Sequence, residues 1–503
     1  MSQTTNNSLL PKGWVWTKLG EIAEINPKLP MTAIQDNLTA SFLPMKAVEE
    51  KTGRIDLSIT KIFRDVKKGY TPFTNGDIIF AKITPCMENG KIAIVNNLTN
   101  GVGFGSTEFH VIRLGDPIEK KLLFFFFLQD EYRKTAQRNM TGSAGQLRVP
   151  AYFVENTFFP LPPPEEQRRI VARLEELFTR LEAGVEAIKK AKAELKRYRQ
   201  AVLKHAFEGK LTGEWRKENI GKMEPASVLL ERIKKNVGAT LAVARTRNKR
   251  AGASPAPAND LPQLPEGWVW TRVGMCSSLI TKGESPNWQG FKYVDEGIPF
   301  IRSENVLWGS IDLLETVKIP EKFHKKLKRS QIMARDVLIN LVGASIGRCA
   351  IVPETIVNAN INQAVALIRT NHALVPSYLM HLLLSQQVQK IINSKKVETA
   401  RPNISLEDLR SLTIPLPPLP EQHKIVEEIE RRFSVADAVE KTIENSLRQA
   451  ERLRQSIMKR AFEGKLAPQD PTDEPASVLL EKIRLQRQQT EQHIRPKRKK
   501  TGG

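Results

Sequence analysis

Apolar residues recur every seven positions along two long stretches of the chain. The first stretch, Glu165 to Glu208, carries them at Leu174, Leu181, Ile188, Leu195 and Val202, and on a second seam at Ile170, Leu177, Ala191 and Tyr198. The second stretch, from Glu421, carries them at Ile429, Ala436, Ile443, Ala450 and Ile457, and at Ile425, Val439 and Leu453. A seven-residue apolar repeat is typical of paired long helices. The pattern predicts two long helices that pack as an antiparallel coiled coil.

Both predicted helices have recognisable ends. Each begins just after a proline cluster, Pro160-Leu161-Pro162-Pro163 or Pro415-Leu416-Pro417-Pro418. Each ends at a glycine, Gly209 or Gly464, because glycine can adopt the left-handed conformation that caps a helix. At about 1.5 Å per residue, the first helix would be roughly 65 Å long, which suits a spacer between globular parts.

The segments outside these helices have a mixed α/β pattern. The strand-like runs of the first half are 77–82, 91–95 and 109–114, followed by a predicted helix at 117–137. The strand-like runs of the second half are 336–340, 348–352 and 364–368, followed by a predicted helix at 376–394. The predicted fold class is therefore α+β, with two globular α/β domains separated by the two long helices.

The two halves share four landmarks in the same order. The opening at Pro11–Gly20 returns at Pro265–Gly274, and the two proline clusters each precede a Glu-Gln pair. The closing Ala-Phe-Glu-Gly-Lys-Leu stands at 206–211 and at 461–466, and a Glu-Pro-Ala-Ser-Val-Leu-Leu-Glu segment at 224–231 and at 474–481. The sequences between the first two landmarks differ almost completely. Such a repeat predicts a pseudo-twofold axis that could address two DNA half-sites, although simple duplication followed by drift remains an alternative.

Length and charge narrow the class of protein. A chain of 503 residues is long enough for about three domains. Its 77 Lys and Arg against 55 Asp and Glu leave a net charge of +22, which favours a polyanionic partner such as nucleic acid. The alternative is a solubilising excess of lysine spread over the surface. Residues 234–261 are rich in Gly, Ala, Pro and Ser and are interpreted as a linker, and residues 495–500 as a basic tail.

A membrane protein or a secreted protein is not expected. The longest apolar run, Leu122 to Leu128, is far shorter than the roughly 20 residues of a membrane span, and it is interpreted as a buried helix segment. The polar N-terminus lacks the regions of a signal peptide, which favours a cytoplasmic protein. The cysteines Cys86, Cys276 and Cys349 lie far apart, so neither a disulfide nor a zinc site is expected.

Motifs for catalysis are missing from the sequence. It contains neither a GxxxxGK[ST] phosphate loop nor an Asn-Pro-Pro-aromatic element of an adenine methyltransferase. Gly101, Gly103 and Gly105 lead into a strand rather than a cofactor-binding helix, and Glu119-Lys120-Lys121 is a common surface tripeptide. The sequence therefore predicts a protein that binds and does no chemistry, with no catalytic residue, no metal and no cofactor in this chain.

These landmarks together resemble the specificity subunit of type I restriction and modification enzymes. The resemblance covers about Pro11 to Ile483 and is carried by the Trp-x-Trp openings, the proline leaders with Glu-Gln, and the repeated closing segments. Thr281–Pro286 also resembles the family's common opening of a target recognition domain, whereas Ile25–Lys28 of the first half resembles a different subgroup. The resemblance thus implies two different half-sites.

The resemblance also implies a domain order and partners. The implied target recognition domains are residues 11–160 and 263–415, the proximal and distal conserved helices are 161–210 and 416–465, a linker region is 211–262, and a C-terminal segment is 466–503. The implied partners are double-stranded DNA, two DNA methyltransferase subunits that hold S-adenosylmethionine, and restriction subunits that use ATP. The helices and leaders would dock the methyltransferases, with Pro162, Glu166, Gln167, Pro417, Glu421 and Gln422 as the docking residues.

Within this family, loops rich in cationic and amide side chains are the candidates for DNA contact, because such side chains bind phosphates and base edges. The candidates in the first half are Lys82, Thr84, Asn89, Lys91, Ser143, Gln146 and Arg148. The candidates in the second half are Lys282, Ser285, Trp288, Arg302, Ser345, Arg348, Asn360, Asn362, Gln363, Arg401 and Asn403. A structural role as a turn former or a solvated charge is the alternative for each of them.

Three rival functions stay open at this stage. A two-headed DNA-binding regulator would need no methyltransferase partner. A coiled-coil scaffold would not need two dissimilar globular domains. A self-contained restriction and modification enzyme would need the cofactor motifs that the sequence lacks.

Overall fold

The computed structural model describes residues 10–143, 145–241, 261–356, 358–394 and 403–494. The chain divides into two units: unit 1 comprises Met1–Ile188 and Glu444–Gly503, and unit 2 comprises Lys189–Ile443. Most of the predicted linker, the candidate Arg401 and the predicted basic tail lie outside the described residues.

The secondary structure alternates short strands with helices of very different lengths. The strands are β1 Val15–Lys18, β2 Ala23–Ile25, β3 Thr39–Leu43, β4 Thr60–Ile62, β5 Thr71–Thr74, β6 Ile78–Ala81, β7 Ile92–Ile94, β8 Val102–Gly105, β9 Phe109–Leu114, β10 Phe158–Leu161, β11 Val269–Arg272, β12 Ser277–Lys282, β13 Ile298–Ile301, β14 Lys318–Ile319, β15 Val337–Asn340, β16 Cys349–Ile351, β17 Asn360–Ile361, β18 Val365–Thr370 and β19 Thr413–Leu416. The α-helices are α1 Leu19–Ile22, α2 Phe63–Val66, α3 Lys120–Phe127, α4 Asp130–Arg138, α5 Ala151–Glu155, α6 Pro164–Phe207, α7 Gly213–Asn219, α8 Ala226–Leu241, α9 Glu321–Lys326, α10 Pro376–Leu384, α11 Gln386–Ser394, α12 Leu406–Ser411, α13 Leu419–Phe462 and α14 Ala476–Ile494.

Each unit is built on the same central sheet. In unit 1 this sheet has the antiparallel order β2-β9-β6-β7, and in unit 2 it has the matching order β12-β18-β15-β16. A second sheet follows in each unit, β4-β3-β8-β5 or β14-β13-β17, and each contains one parallel pair. The strands expected from the sequence correspond to β6, β7 and β9 and to β15, β16 and β18. The repeat therefore extends from sequence landmarks to strand order.

Each unit also contains a two-stranded sheet, which together with the central sheet and the long helix forms the repeated frame. The Trp-x-Trp opening forms β1 or β11, and the proline leader forms β10 or β19. The register is the same in both units, because Trp16 lies opposite Pro160 and Trp270 lies opposite Pro415. The conserved openings and leaders are thus the two strands of one small sheet.

The core of unit 1 lies between the central sheet and α3. Leu122, Leu123 and Phe127 of the apolar run are buried against Ile78 and Phe80 of β6. Burying such side chains contributes on the order of 2 kcal/mol each. The interpretation of this run as a buried helix segment is confirmed.

The sequence predicted a single helix after each set of strands, and this prediction was wrong because each stretch forms two helices. Residues 117–137 form α3 and α4, which are separated at Gln129, and residues 376–394 form α10 and α11, which are separated at Ser385. Both separating residues have extended backbone, with ψ of 134° at Gln129 and 146° at Ser385. In unit 2 the Ser385 hydroxyl donates to the carbonyl of Leu382 at 2.7 Å. Periodicity alone could not locate these breaks.

The two long helices are α6 and α13, with 44 residues each. Gly209 and Gly464 follow their C-terminal ends with φ of 72° and 65°, which is the left-handed conformation expected for a cap. In unit 1, Ile170 and Leu174 of α6 belong to the same core as Ile457 and Ala461 of α13.

In unit 2 the same two helices meet through other residues. Val202 and Ala206 of α6 share a core with Ile425 and Ile429 of α13. The first part of α6 therefore shares a core with the last part of α13 in unit 1, and the last part of α6 shares a core with the first part of α13 in unit 2. The coiled-coil geometry itself stays a prediction.

The second seam is less buried than the repeat predicts. Tyr198, Val439 and Leu453 are each more than two fifths exposed. Arginine side chains occupy the helix contact nearby: Arg454 lies 4.7 Å from the Phe178 ring centre in unit 1, and Arg199 lies 5.5 Å from the Phe433 ring centre in unit 2. An arginine stem covers apolar surface while its charged end stays solvated, so fewer apolar residues are buried.

Candidate nucleic-acid interface

Each proline leader is locked to its opening strand by a buried tryptophan and a buried carboxylate. Trp14 Nε1 donates to Glu166 Oε2 at 2.9 Å, and Trp268 Nε1 donates to Glu421 Oε2 at 2.8 Å. Both tryptophans are largely buried, so their rings pack inside the fold. The bond joins the first strand of each unit to the first turn of its long helix.

The glutamine beside each glutamate adds hydrogen bonds to this connection, which is called the Trp–Glu lock. Gln167 donates to the Pro162 carbonyl at 2.9 Å and accepts from the Glu119 N–H at 3.0 Å. In unit 2, Gln422 donates to the Pro417 carbonyl at 3.0 Å and accepts from the Val375 N–H at 2.8 Å.

These contacts correct the predicted docking role of the leaders. The side chains of the Glu-Gln pairs are at most 1% exposed, so they cannot touch a partner subunit in this conformation. The two proline carbonyls are used inside the fold as well. The Glu-Gln pairs therefore hold the frame together, and any docking surface lies on other residues.

The two glutamates differ in what else they meet. Glu421 Oε1 accepts from Thr212 Oγ1 at 2.7 Å and from Arg216 Nε at 2.8 Å. Glu166 Oε1 is buried and makes no hydrogen bond among the described residues. Burial raises the pKa of Glu166, against the opposing effect of its bond with Trp14. Glu421 thus forms a direct ion pair in unit 2, whereas the arginine near Glu166 in unit 1, Arg169, pairs directly with Asp473.

An Asp–Arg pair with a buried aspartate lies in the central sheet of each unit, and neither pair was among the residues predicted from the sequence. Arg113 of β9 donates to both oxygens of Asp77 at 2.7 and 2.6 Å. Arg369 of β18 donates to both oxygens of Asp336 at 2.8 and 2.7 Å. The signal in the sequence was an Asp before a strand and an Arg near the end of the next antiparallel strand.

The candidate residues of unit 1 lie on two segments that the fold brings side by side. The Thr84 N–H donates to the Leu147 carbonyl at 3.0 Å, and the Val149 N–H donates to the Lys82 carbonyl at 2.8 Å. The segment that follows β6 and the segment that precedes the leader therefore form one surface. This surface is called recognition surface 1 and comprises residues 82–91 and 141–148.

Several candidates within recognition surface 1 are already engaged. Arg148 forms two hydrogen bonds with Glu108, and Thr84 Oγ1 donates to Glu88 at 2.6 Å. Asn89 donates to Glu50 at 2.8 Å, and Lys91 donates to the Met45 carbonyl at 3.2 Å. These four side chains shape the surface, and binding DNA through them requires exchange of the bonds.

Ser143 and Gln146 are the uncommitted members of this surface. Both are exposed, and neither side chain has a hydrogen-bond partner among the described residues. Gly142 and Gly145 flank them with φ of 126° and 80°, a backbone that side-chain-bearing residues rarely adopt. Lys82 is half-buried next to this tip and lies near Glu108. The loop tip therefore presents a hydroxyl and an amide that are free to bind.

A surface depression beside recognition surface 1 adds residues that sequence reasoning missed. It has a volume of about 740 Å³ and is lined by Lys46, Glu50, Arg54 and Lys91 among others. Lys91 and Glu50 also belong to or contact recognition surface 1. The run Lys46–Arg54 mixes both signs of charge, which is why it did not stand out as a basic segment.

Unit 2 repeats this arrangement at the equivalent place. Val342, after β15, forms a β-bridge with Asn403, before the leader, and the Ile404 N–H donates to the Leu341 carbonyl at 2.9 Å. The Arg348 N–H donates to the Ser345 carbonyl at 3.1 Å, which closes the loop after β15. Ser345, Arg348 and Asn403 thus lie together, and they define recognition surface 2. The candidate Arg401 lies outside the described residues.

Three unit 2 candidates are buried, which corrects their prediction as residues that contact DNA. Asn360 is fully buried and its amide donates to the Leu327 carbonyl at 3.3 Å. Asn362 accepts from the Ala364 N–H at 3.1 Å, and both Asn362 and Ser285 are only 9% exposed. Asn360 and Asn362 satisfy backbone groups inside the fold, and all three side chains are covered, so a base cannot reach them in this conformation.

The remaining unit 2 candidates are spread over other loops. Trp288 is 78% exposed, and Lys282 at the end of β12 is exposed as well. Arg302 pairs with Glu304 and lies 5.8 Å from the Tyr293 ring centre, while Gln363 is half-buried. Exposed Trp288 is the one aromatic candidate for stacking among these residues.

In the described part of the chain, no group of three or more His, Cys, Asp and Glu side chains is placed to hold a metal ion. None of the described helices is both long enough and apolar enough to cross a membrane.

Comparison with known proteins identifies the family. Residues 11–193 and 266–449 each match the type I restriction modification DNA specificity domain, which together is well over half of the chain. This chain therefore belongs to the type I restriction-modification specificity subunit family. The two matched segments coincide with the repeat that the fold displays.

Individual relatives agree with this assignment. The chain is 30% identical to the type I restriction enzyme EcoAI specificity subunit of Escherichia coli, over 87% of this chain and 80% of the relative. It is 29% identical to the EcoEI specificity subunit of Escherichia coli, with the same shares covered. A solved chain described under complex assembly and conformational transition of the type I R-M system has a TM-score of 0.68 at 24% identity, covering 91% of this chain and 100% of that chain. That structural likeness supports the fold.

Proposed function

We propose that this chain reads DNA sequence for a type I restriction and modification complex, and that each unit reads one half of a bipartite target. The observation that carries the proposal is the pair of recognition surfaces, which stand at equivalent places of one repeated frame but hold different side chains. Recognition surface 1 carries Ser143 and Gln146, whereas recognition surface 2 carries Ser345, Arg348 and Asn403. Unlike readers on a common frame fit a target whose two halves differ.

Affinity for DNA would come mainly from charge. The net charge of +22 supplies the cations that neutralise phosphates, and the polar side chains of the loops would select bases. Trp288 and Lys282 would add stacking and phosphate contact in unit 2. The complex would act on DNA in the cytoplasm.

The chemistry would be done by partner chains. Two methyltransferase subunits would bind S-adenosylmethionine and methylate adenine, and restriction subunits would use ATP. This chain would contribute recognition and the frame on which the subunits assemble. The buried leaders leave the outward faces of the long helices as the surfaces for that assembly.

The proposal is tested by co-expression with a type I DNA methyltransferase subunit, followed by mapping of methylated adenines across the host genome. Residues 11–159 are then replaced by the equivalent residues of a relative. We expect a bipartite methylated motif, of which only one half changes after replacement. Methylation by this chain alone, or a change in both halves, would overturn the proposal.

A further inference from the structure

The C-terminal half of helix α6 carries an unusual concentration of positive charge. Residues 189–204 contain seven Lys and Arg and a single acid, Glu194. Lys190, Lys196, Arg197 and Lys204 are exposed on the described helix, and these four residues are called the basic stripe. Neighbouring cations on a helix surface repel one another, so acidic residues usually lie between them unless the surface binds an anion.

Most of the stripe is not neutralised inside the fold. Lys190, Lys196 and Arg197 make no ion pair or hydrogen bond with any residue of the described ranges, while Lys204 lies 3.8 Å from Glu208. The neighbouring Arg199 differs, because it binds Asp437 at 2.7 Å and Glu440 at 2.9 Å. The helix thus uses one arginine for packing and leaves a row of cations to solvent.

The basic stripe runs parallel to the axis of helix α6. Lys190, Arg197 and Lys204 are seven residues apart, which places them on one face of an α-helix. At 1.5 Å per residue the first and last are about 21 Å apart, which equals about six base pairs of DNA at 3.4 Å each. The spacing therefore suits a linear polyanion.

The other long helix does not repeat the stripe. Both helices end in the same Ala-Phe-Glu-Gly-Lys-Leu segment, so the equivalent positions in α13 are Asn445, Glu451, Arg452 and Lys459. Two identical partner subunits that dock on a repeated frame would use features that both repeats share, as the Trp–Glu locks are shared. Arg452 and Lys459 keep two of the four cations, whereas Asn445 and Glu451 replace the other two, so the complete stripe is present in one repeat and fits an anion that is present once per complex.

We infer that the basic stripe binds phosphates of the DNA segment between the two half-sites. This inference rests on the proposed function. The basic stripe lies on the long helix α6, whereas the recognition surfaces lie on loops beside the central sheets. Its side chains are long flexible cations, and none of them carries the amide or hydroxyl group that commonly reads a base edge. Such side chains hold a backbone without reading its sequence, so the contacted segment is one whose bases are not specified. An acidic protein is the competing partner.

The test compares two triple variants of the full chain in complex with its methyltransferase. The stripe variant is Lys190→Gln, Lys196→Gln and Arg197→Gln. The matched control is Lys441→Gln, Arg448→Gln and Arg452→Gln, which removes three exposed cations of α13. Glutamine keeps helix propensity, so both variants should fold.

Each complex is titrated with a target duplex of native backbone and with the same duplex carrying neutral methylphosphonates only between the half-sites. On the native duplex we expect the stripe variant to bind on the order of 10- to 100-fold more weakly in 0.15 M salt, with a salt slope smaller by about 2 to 3. On the neutral-spacer duplex we expect the wild type and the stripe variant to bind alike. The control should follow the wild type on both.

Other results would overturn the inference in distinguishable ways. An equal loss on both duplexes, or no loss on either, would mean that the stripe does not contact the spacer. Failure of the stripe variant to co-purify with the methyltransferase would make the stripe a protein-docking surface. If the wild-type complex does not distinguish the target from a scrambled duplex, the proposed function fails first and the inference fails with it.

Discussion

Arg148 binds Glu108 through two parallel hydrogen bonds, from Nε to Oε2 at 2.9 Å and from Nη2 to Oε1 at 2.8 Å. Glu108 immediately precedes β9 of the central sheet, and Arg148 stands two residues after Gln146. The pair therefore fastens the base of the exposed loop tip to a rigid strand. The Arg148 hydrogen bond lowers the pKa of Glu108, so the carboxylate stays charged at neutral pH.

Glu108→Gln should weaken recognition of one half-site only. An amide cannot accept two charge-assisted bonds, so the tip with Ser143 and Gln146 would lose its fixed position. We expect discrimination at the half-site read by unit 1 to fall about 5- to 10-fold. This corresponds to losing about 1 kcal/mol of the interaction free energy that holds the loop tip in position. Competition binding with duplexes mutated in one half or the other measures this.

The control for that experiment is Glu407→Gln, which breaks an exposed Glu–Arg pair in unit 2. It should leave both half-sites unaffected, because exposed pairs contribute little. A Glu108→Gln complex that loses discrimination equally at both half-sites would contradict the positioning role.

The two Trp–Glu locks should respond differently to the same substitution. Glu421→Gln leaves Arg216 largely buried without its carboxylate, and breaking a buried ion pair typically costs about 3–5 kcal/mol. Glu166→Gln removes a buried charge that has no ion pair of its own and keeps an acceptor for Trp14, so we expect a change within about 1 kcal/mol.

Denaturant unfolding of the full-length variants measures the difference between the locks. Trp268→Phe and Trp14→Phe serve as comparisons, because each removes the same indole bond from its own lock. Equal destabilisation by Glu166→Gln and Glu421→Gln would show that Arg216 does not distinguish the two units.

His381 makes part of unit 2 sensitive to acid. Its ring is buried against Phe433, neither ring nitrogen has a hydrogen-bond partner among the described residues, and burial lowers its pKa to about 4. Between about pH 4 and pH 6.5 the unfolded chain binds a proton at this site that the folded chain does not. The stability of unit 2 should therefore fall as the pH decreases through that range.

His381→Leu should remove this dependence. We expect the unfolding free energy of the variant to change less between pH 6.5 and pH 4.5 than that of the wild type, measured by denaturant titration at each pH. The equivalent residue of unit 1 is Phe125, which packs edge-on against Phe178 as His381 packs against Phe433, so an apolar residue fits this position of the repeat. His372→Leu, which replaces an exposed histidine of the same unit, is the control. A His381→Leu variant that keeps the full wild-type slope would refute this assignment.

Sequence reasoning succeeded where the determining interactions are local and periodic. The strand-like run at 109–114 located β9, and the seven-residue repeat located α6 and α13 within a few residues. Gly209 and Gly464 marked the helix ends, because a left-handed cap depends on one residue type.

The site was harder to predict because a polar residue does not reveal its partner. Glu166 follows a proline leader and looked exposed, but its partner Trp14 is 152 residues away in the sequence. Asn360 looked like a reader of bases, yet its amide binds the backbone of Leu327. An amide pairs equally well with a peptide group and with a base edge, so only the fold decides between them.

The Asp–Arg pairs of the central sheets should act independently in the two units. Asp77 and Asp336 are nearly fully buried, whereas Arg113 and Arg369 are each about one third exposed or less. Replacing either Asp by Asn leaves a partly buried guanidinium without its counter-ion. We expect a loss of about 2–4 kcal/mol, less than for a fully buried pair because solvent screens the arginine.

Hydrogen exchange locates that loss within the molecule. With Asp77→Asn, the amides of β6 and β9 should exchange faster while those of β15 and β18 keep their protection, and Asp336→Asn should give the reverse pattern. The double variant Asp77→Asn with Arg113→Gln should recover part of the protection, because no unpaired charge then remains buried. Loss of protection in both units from either single substitution would contradict the independence of the two frames, and with it the expectation that each half-site can be altered alone.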